Sequence, residues 1–508
     1  MHFLMAVALI APSVTSTAYA VETTSQQSSE AVTSTTDSSR KQEPVITQET
    51  TDIKQEAPNQ ATSDSVKQSQ ETTAPTETTN LETSTAEKEE TSTPQKITIL
   101  GTSDVHGQLW NWSYEDDKEL PVGLSQVSTV VNQVRAQNPA GTVLIDNGDN
   151  IQGTILTDDL YNKAPLVNEK THPMITAMNV MKYDAMVLGN HEFNFGLPLI
   201  KKIQQEATFP ILSANTYNKE DGLRFVEGTT TKELDFNQDG QPDLKVGIIG
   251  LTIPHIPLWD GPRVTSLNFL PLKEEAEKAV TELKANDQAD IIVASIHAGQ
   301  QNSDPAASAD QVIENVAGID AYILGHDHLS FTKQGAAPNG KTVPVGGPKD
   351  TGTEVVKIDL SVAKNADKWE VQEGTATIVP TTNVPADEAV KAATKEYHEK
   401  TRAFIQEEIG TATADFLPKQ EIKGIPEAQL QPTAMISLIN NVQKEVTGAQ
   451  LSAAALFKYD SKLPAGKISY ATIFDIYKYP NTLVSVPING ENLLKYLEKQ
   501  GAYYNQTQ

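Results

Sequence analysis

The chain has 508 residues and a mass of 55.1 kDa, more than one simple domain needs. A net charge of -26 leaves no basic surface on which to displace counterions, so a nucleic-acid polymer is excluded as a partner. The absence of cysteine excludes disulfides and thiolate metal sites, so a transition-metal site must draw on His, Asp, Glu, Asn or Gln.

In chain order, the first segment is MHFLMAVALIAPSVTSTAYA. An apolar run precedes Ala18-Tyr19-Ala20, a small-x-small cleavage pattern, so residues 1–20 read as a secretory signal, although one without the usual basic start. The run is too short to span a bilayer, and no transmembrane segment is expected elsewhere. Residues 21–95 are rich in Thr, Ser, Glu and Gln, as in ETTAPTETTNLETSTAEKEETSTP. They hold too little apolar area to offset their ordering entropy and read as a disordered spacer. An adhesive role, contacting cell wall or host surface, is the other reading of this stretch. Cysteine-free and exported, such a chain suits a secreted or cell-surface location of the Gram-positive type.

From Lys96 a pattern recurs: an apolar, β-branched strand followed by a polar loop. KITILGTSDVHGQL, GTVLIDNGDNIQGT, YDAMVLGNHEFNFG, LKVGIIGLTIPH, ADIIVASIHAGQ and IDAYILGHDHLS all show it. Helix-like segments intervene, among them GLSQVSTVVNQVRAQ and LKEEAEKAVTELKAN. Buried strands alternating with amphipathic helices predict an α/β layered fold. Ligands in such sheets bind at the carboxyl ends of the strands, where all of these polar loops lie.

The loops carry Asp104 and His106, then Asp149, then Asn190 and His191, then His297, then His326 and His328. On an extended loop residues i and i+2 point the same way, so each pair can reach one centre. Oxygen and imidazole donors without sulfur suit Mn, Zn, Fe or Mg-type ions. Asp104, His106, Asp149, Asn190, His297, His326 and His328 are too many donors for one tetrahedral ion, and a carboxylate bridging two ions uses them all. Two such ions clamp a phosphoryl group and activate water. Singly, each motif is more often a loop cap; five in this order after buried strands are not. His172, His255 and His398 fit none of the motifs and read as surface or structural. DFNQDGQPD places Asp235, Asn237, Asp239 and Asp243 at calcium-loop spacing, but Val246 stands where a bidentate Glu belongs, so a polar hairpin turn competes with a calcium site.

The series DVHG, GDN, GNHE, HAG, GHDH resembles the calcineurin-like metallophosphoesterases, specifically the 5′-nucleotidase superfamily, from about residue 96 onward. The resemblance implies a metallophosphoesterase β-sandwich flanked by helices over 96–384, an inter-domain linker helix over 385–410, and the start of a C-terminal α/β nucleotide-binding domain over 411–508, which reads as incomplete. It implies one ion held by Asp104, His106, Asp149 and His328 and a second by Asp149, Asn190, His297 and His326, with His191 catalytic. The 5′-nucleotidases proper place an aspartate three residues after that histidine, where this chain has Asn194; the amide can orient His191 but brings no charge. They also carry an arginine-bearing substrate loop, where this chain has LSAAALFKYDSKL. Both departures, the H-x-H ending and IFDIYKYPNTL resemble the 2′,3′-cyclic-nucleotide 2′-phosphodiesterase/3′-nucleotidase branch. Tyr479 and Asn481 resemble its base-stacking aromatic and polar base contact; the competing reading makes Tyr477 and Tyr479 strand side chains on a core. The implied activity is hydrolysis of 2′,3′-cyclic nucleotides and 3′-nucleotides to nucleosides and phosphate. Alternatives are a 5′-nucleotidase, a cyclic-dinucleotide phosphodiesterase, or a surface adhesin using the fold as a scaffold.

Overall fold

The computed structural model describes residues 2–9, 93–163, 170–366, 368–419, 422–455, 459–477 and 482–502. Nearly all of the Thr-rich stretch, and both Tyr479 and Asn481, lie outside these residues. Two six-stranded mixed sheets form the main body. One runs in the spatial order Lys368–Pro380, Glu354–Asn365, Gln95–Thr102, Thr142–Asp146, Ala185–Val187, Ile211–Leu212. The other runs Phe331–Ala336, Thr342–Gly347, Ala321–Leu324, Ile291–His297, Leu244–Thr252, Thr229–Leu234.

The reason for continuous apolar strands is visible in how they share their side chains. Ile97, Ile99, Val143, Ile145, Val246, Ile248, Ile291, Val293 and Ile323 point into a core between the sheets. The alternate residues Leu100, Leu144, Ile249, Ile292 and Leu324 point outward under the helices. Strands buried on both faces cannot alternate apolar with polar. Helix Leu124–Gln137 covers one outer face with Leu124, Val127, Val130, Val131 and Val134, a helical stripe. Helix Leu272–Ala285 does the same with Leu272, Ala276, Ala279, Val280 and Leu283.

Register aligns the strand ends that matter. The parallel pairs put Thr102 beside Asp146 in the first sheet and Thr252 beside His297 in the second. The loops bearing the polar motifs therefore leave the two sheets at one edge of the sandwich.

Helix Glu388–Ile405 starts at Asp387, whose side chain accepts from the Ala389 N–H at 2.7 Å. It is pinned to the sandwich: Trp110 Nε1 donates to Thr394 Oγ1 at 2.8 Å, and the Trp110 and His398 rings stack with centroids 3.8 Å apart. The helix stops short of Gly410, which lies in strand Glu408–Ala412, because that strand pairs antiparallel with Gly466–Ser469. Beyond it, Ala412, Met435, Leu463 and Ile476 form a separate small core. His2–Leu9, within the stretch read as an export signal, forms a strand antiparallel to Thr482–Asn489 and parallel to Leu451–Ala453. Tyr477 closes helix Tyr470–Ile476 rather than sitting in a strand, since Ser469 and Thr472 build a capping box that starts the helix there.

The Asp235–Asp243 segment is the turn joining antiparallel strands Thr229–Leu234 and Leu244–Thr252. Its carboxylates accept from the loop's own N–H groups: Asp235 from Gly240 at 2.8 Å and Asp243 from Phe236 at 2.8 Å. This is the hairpin turn that competed with calcium.

His172, fully buried, caps helix Pro173–Met181. Its Nδ1 accepts from the Met174 N–H at 3.2 Å, so the ring proton sits on Nε2, edge-on to Tyr161 with centroids 4.6 Å apart. Burial, with Lys202 adding to it, holds the imidazole pKa down to about 3 from 6.5. An unfolded chain takes up this proton below pH 6.5 and the folded chain refuses it until far lower. Its contribution is therefore complete above pH 6.5 and declines as pH falls, by about 1.4 kcal/mol per pH unit. His172→Asn keeps a capping acceptor without a titrating ring. Urea unfolding at successive pH values is expected to show a flatter acid slope for the variant; equal slopes would refute this.

Candidate metal centre

Seven side chains, six from four loops and His297 from the end of strand Ile291–His297, meet at the sandwich edge, and they fall into two donor groups. Asp104, His106 and His328 form one; Asp149, His297 and His326 form the other, with the donor atoms of each group within 4.8 Å of one another. In the first, His106 Nε2 lies 3.1 Å from His328 Nε2, which lies 3.4 Å from Asp104 Oδ1. In the second, His297 Nε2 lies 3.2 Å from Asp149 Oδ2. The Asn190 amide oxygen faces this second group, 3.2 Å from His297 Nε2 and 2.8 Å from His326 Nδ1.

The loops are not extended. Asp104, His106, Asp149, His326 and His328 have φ of 52°, 49°, 58°, 75° and 54°. Left-handed backbone is uncommon outside glycine, although Asp and His adopt it more readily than most residues, and here the surrounding hydrogen bonds hold it. The turn also separates His326 from His328, sending them to different groups, so spacing alone did not place both on one centre. Two interlocks enforce the loops. Asp104 N–H and His106 N–H donate to the carbonyls of Gly148 and Asp149, both at 2.9 Å. The His326 N–H donates back to Asp104 Oδ2 at 3.0 Å.

Glu192, quoted within GNHE but given no role from sequence, is the larger interlock. It is fully buried, and its carboxylate accepts from Asp149 and Gly189 N–H through Oε2, at 2.8 and 2.7 Å, and from Asn150 and Ile151 N–H through Oε1, at 2.7 and 3.3 Å. Burial pushes its pKa up and the Asp149 charge adds to this, while the Asn150 and Asp149 N–H bonds oppose both. All four partners are donors, which the ionised carboxylate alone accepts without conflict. Gly189 is required beside it: a Cβ there would lie 2.6 Å from the Asp149 nitrogen and press on its carboxylate. Asn147 is a second residue the motifs did not expose. Its carbonyl accepts from His297 Nδ1–H at 2.7 Å, which leaves His297 Nε2 directed at the donor group.

Charge at the site is concentrated. Burial opposes ionisation of Asp149, yet the charges of His297 and His191 hold it well below the ordinary carboxylate range. Reciprocally, burial would depress His297, but Asp149 raises it to about 10. His326 is pushed down to about 4 by burial and by the His297 charge. Buried carboxylates and buried or half-buried imidazoles with converging lone pairs, and no sulfur, match the hard-to-borderline donor chemistry of divalent ions such as Mn, Zn, Fe or Mg.

His191, 6% exposed, sits beside both groups, its ring 5.2 Å from that of His106. Its Nδ1 lies 2.6 Å from Asn194 Oδ1, which can only accept, so Nδ1 carries the proton. Of the histidines outside the motifs, His172 and His398 are buried, and His255 pairs with Asp304 at 2.9 Å near the surface. Among the described residues no helix is long and apolar enough to cross a membrane.

Two family models match: "Calcineurin-like phosphoesterase" over residues 97–330 and "5'-nucleotidase, C-terminal domain" over 408–508. The chain is 30% identical to the trifunctional nucleotide phosphoesterase protein YfkN of Bacillus subtilis over 454 residues, 82% of this chain but only 31% of that protein's length. It is 29% identical to a 2′,3′-cyclic-nucleotide 2′-phosphodiesterase/3′-nucleotidase of Haemophilus influenzae, covering 81% of this chain and 68% of the relative. The crystal structure of calcineurin-like phosphoesterase YfkN from Bacillus subtilis superposes with a TM-score of 0.57 at 30% identity, over 62% of this chain and 100% of that one. The family implies a pair of divalent ions, which the two donor groups fit. With matching motif order, sandwich and donor groups, the chain belongs to the calcineurin-like phosphoesterase family and is a metal-dependent phosphoester hydrolase.

Proposed function

We propose that this chain hydrolyses 2′,3′-cyclic nucleotides and 3′-nucleotides, and that it does so outside the cell. Asp104, His106, Asp149 and His328 would hold one divalent ion, and Asp149, Asn190, His297 and His326 the other, with Asp149 shared. When bound, such a pair supplies Lewis acidity to the phosphoryl oxygens and acidifies the attacking water.

The protein's own contribution centres on His191. Because Asn194 holds the proton on Nδ1, Nε2 is the atom left for the substrate. Once protonated, it donates to a phosphoryl oxygen or to the departing ribose oxygen. Opening a 2′,3′-cyclic phosphate at the 2′ position leaves a 3′-phosphate, and the same residues then act on that monoester. Tyr479 and Asn481 are assigned to the base by resemblance alone.

The observation that carries the substrate assignment is the His191–Asn194 contact, an amide where 5′-nucleotidases place a carboxylate. Relatives named as 2′,3′-cyclic-nucleotide 2′-phosphodiesterase/3′-nucleotidase support it. The test is turnover of 2′,3′-cyclic AMP, 3′-AMP and 5′-AMP by the manganese-loaded chain. The first two are expected to exceed 5′-AMP in kcat/KM by about a hundredfold, the scale of discrimination a pocket reaches without a dedicated hydrogen bond to the differing group. Preference for 5′-AMP would reassign the chain to the 5′-nucleotidases.

A further inference from the structure

We propose that Asp260 is a positioning residue for His191, acting through Asn194, so that a His–Asn–Asp relay stands in for a direct His–Asp pair. The inference rests on the phosphoesterase reading and adds a residue to it.

The relay is continuous and buried. His191 Nδ1–H donates to Asn194 Oδ1 at 2.6 Å, Asn194 Nδ2 donates to Asp260 Oδ2 at 2.7 Å, and Arg263 donates to Asp260 Oδ1 at 2.9 Å. His191, Asn194 and Asp260 are 6%, 8% and 2% exposed, so water does not replace these contacts. Asp260 ends helix Ile256–Asp260, 66 residues from Asn194 and outside every motif in the sequence.

An amide by itself is an ambiguous partner for an imidazole. Turned one way it offers oxygen to a ring N–H; turned the other it offers N–H to a bare ring nitrogen. The Asp260 carboxylate only accepts, so it holds Nδ2 on its own side and leaves Oδ1 for His191. That choice fixes the proton on Nδ1 and frees Nε2 for the substrate.

A structural role would look different. Asp260 also holds Arg263 in an ion pair three residues on, which secures the local turn. Its two oxygens divide the work: Oδ1 serves Arg263 and Oδ2 serves Asn194. Asp260→Asn leaves one donor-to-donor conflict. If the substituted amide accepts from Asn194 through its oxygen, its nitrogen faces Arg263; if it donates to a flipped Asn194, the His191 tautomer inverts. Combining Asn194→Asp with Asp260→Asn removes the conflict and keeps the His191 tautomer. The new carboxylate accepts from His191 and from the new amide, whose oxygen accepts from Arg263.

The experiment uses the manganese-loaded full chain with bis(p-nitrophenyl) phosphate and metal analysis. Asp260→Asn is expected to lower kcat by about tenfold to hundredfold, part of what acid–base assistance contributes, at unchanged KM and metal content. The double variant is expected to recover at least about tenfold of that loss, and Arg263→Gln to keep most of kcat. Undiminished kcat in Asp260→Asn overturns the proposal, as does a double variant no faster than the single one. Equal loss in Arg263→Gln without rescue assigns Asp260 to the turn alone and also overturns it. Should Asp260→Asn fail to fold, the double variant is judged against the unmodified chain: comparable kcat upholds the relay, and lost kcat at full metal content overturns it. Should the unmodified chain hydrolyse no phosphoester, the function reading fails, and the relay is decided separately by 15N NMR of the zinc-loaded chain. The His191 ring must then show the Nδ1–H tautomer, altered in Asp260→Asn; an unaltered tautomer overturns it.

Discussion

Asp149→Asn is expected to leave the fold intact while cutting metal content below two ions per chain and turnover by about a thousandfold or more, the several kcal/mol of transition-state stabilisation an ion pair supplies. The substitution isolates charge from shape. Asp149 has a φ of 58°, which asparagine tolerates better than alanine does. Its Oδ1 accepts from the His191 N–H at 2.7 Å, and an amide oxygen continues that bond. What disappears is the carboxylate beside His297 and, in the proposed arrangement, the one ligand shared by both ions. Metal analysis and turnover on bis(p-nitrophenyl) phosphate check it. Full metal content would show that Asp149 does not bridge.

Glu192→Gln is expected to destabilise the chain and loosen the site together, although Glu192 donates no electron pair to the proposed ions. Each oxygen of Glu192 receives two backbone N–H groups, so the glutamine amide nitrogen meets two donors whichever way it turns. A buried donor left without an acceptor costs about 1–3 kcal/mol, so the pair costs about 2–6 kcal/mol. Those N–H groups belong to the loops carrying Asp149 and Asn190, and the left-handed Asp149 depends on them. Urea unfolding should show the lower midpoint, and metal titration a weaker affinity. An unchanged midpoint with unchanged affinity would remove Glu192 from the site's support.

Much of the centre was legible from sequence because its signals are local. An apolar strand, a polar loop and a donor side chain are adjacent in the chain, and strand periodicity needs no distant contact. The hairpin around Asp235–Asp243 was equally local, and the turn its residues predicted is the one found between strands Thr229–Leu234 and Leu244–Thr252. Glu192 sat in plain view inside GNHE, yet three of its four partners, the N–H groups of Asp149 to Ile151, lie 41 to 43 residues away. Asp260 carried no motif at all.

The sequence by itself determined the chemistry available: nitrogen and oxygen donors without sulfur, each placed at or just past the end of a buried strand. Tertiary structure alone decided how those donors are shared out. His328 joins His106 across 222 residues, while its near neighbour His326 turns to Asn190. Two left-handed residues and the packing of one sheet against the other produce that division. No linear spacing encodes it, because it depends on contacts that exist only once both sheets have assembled.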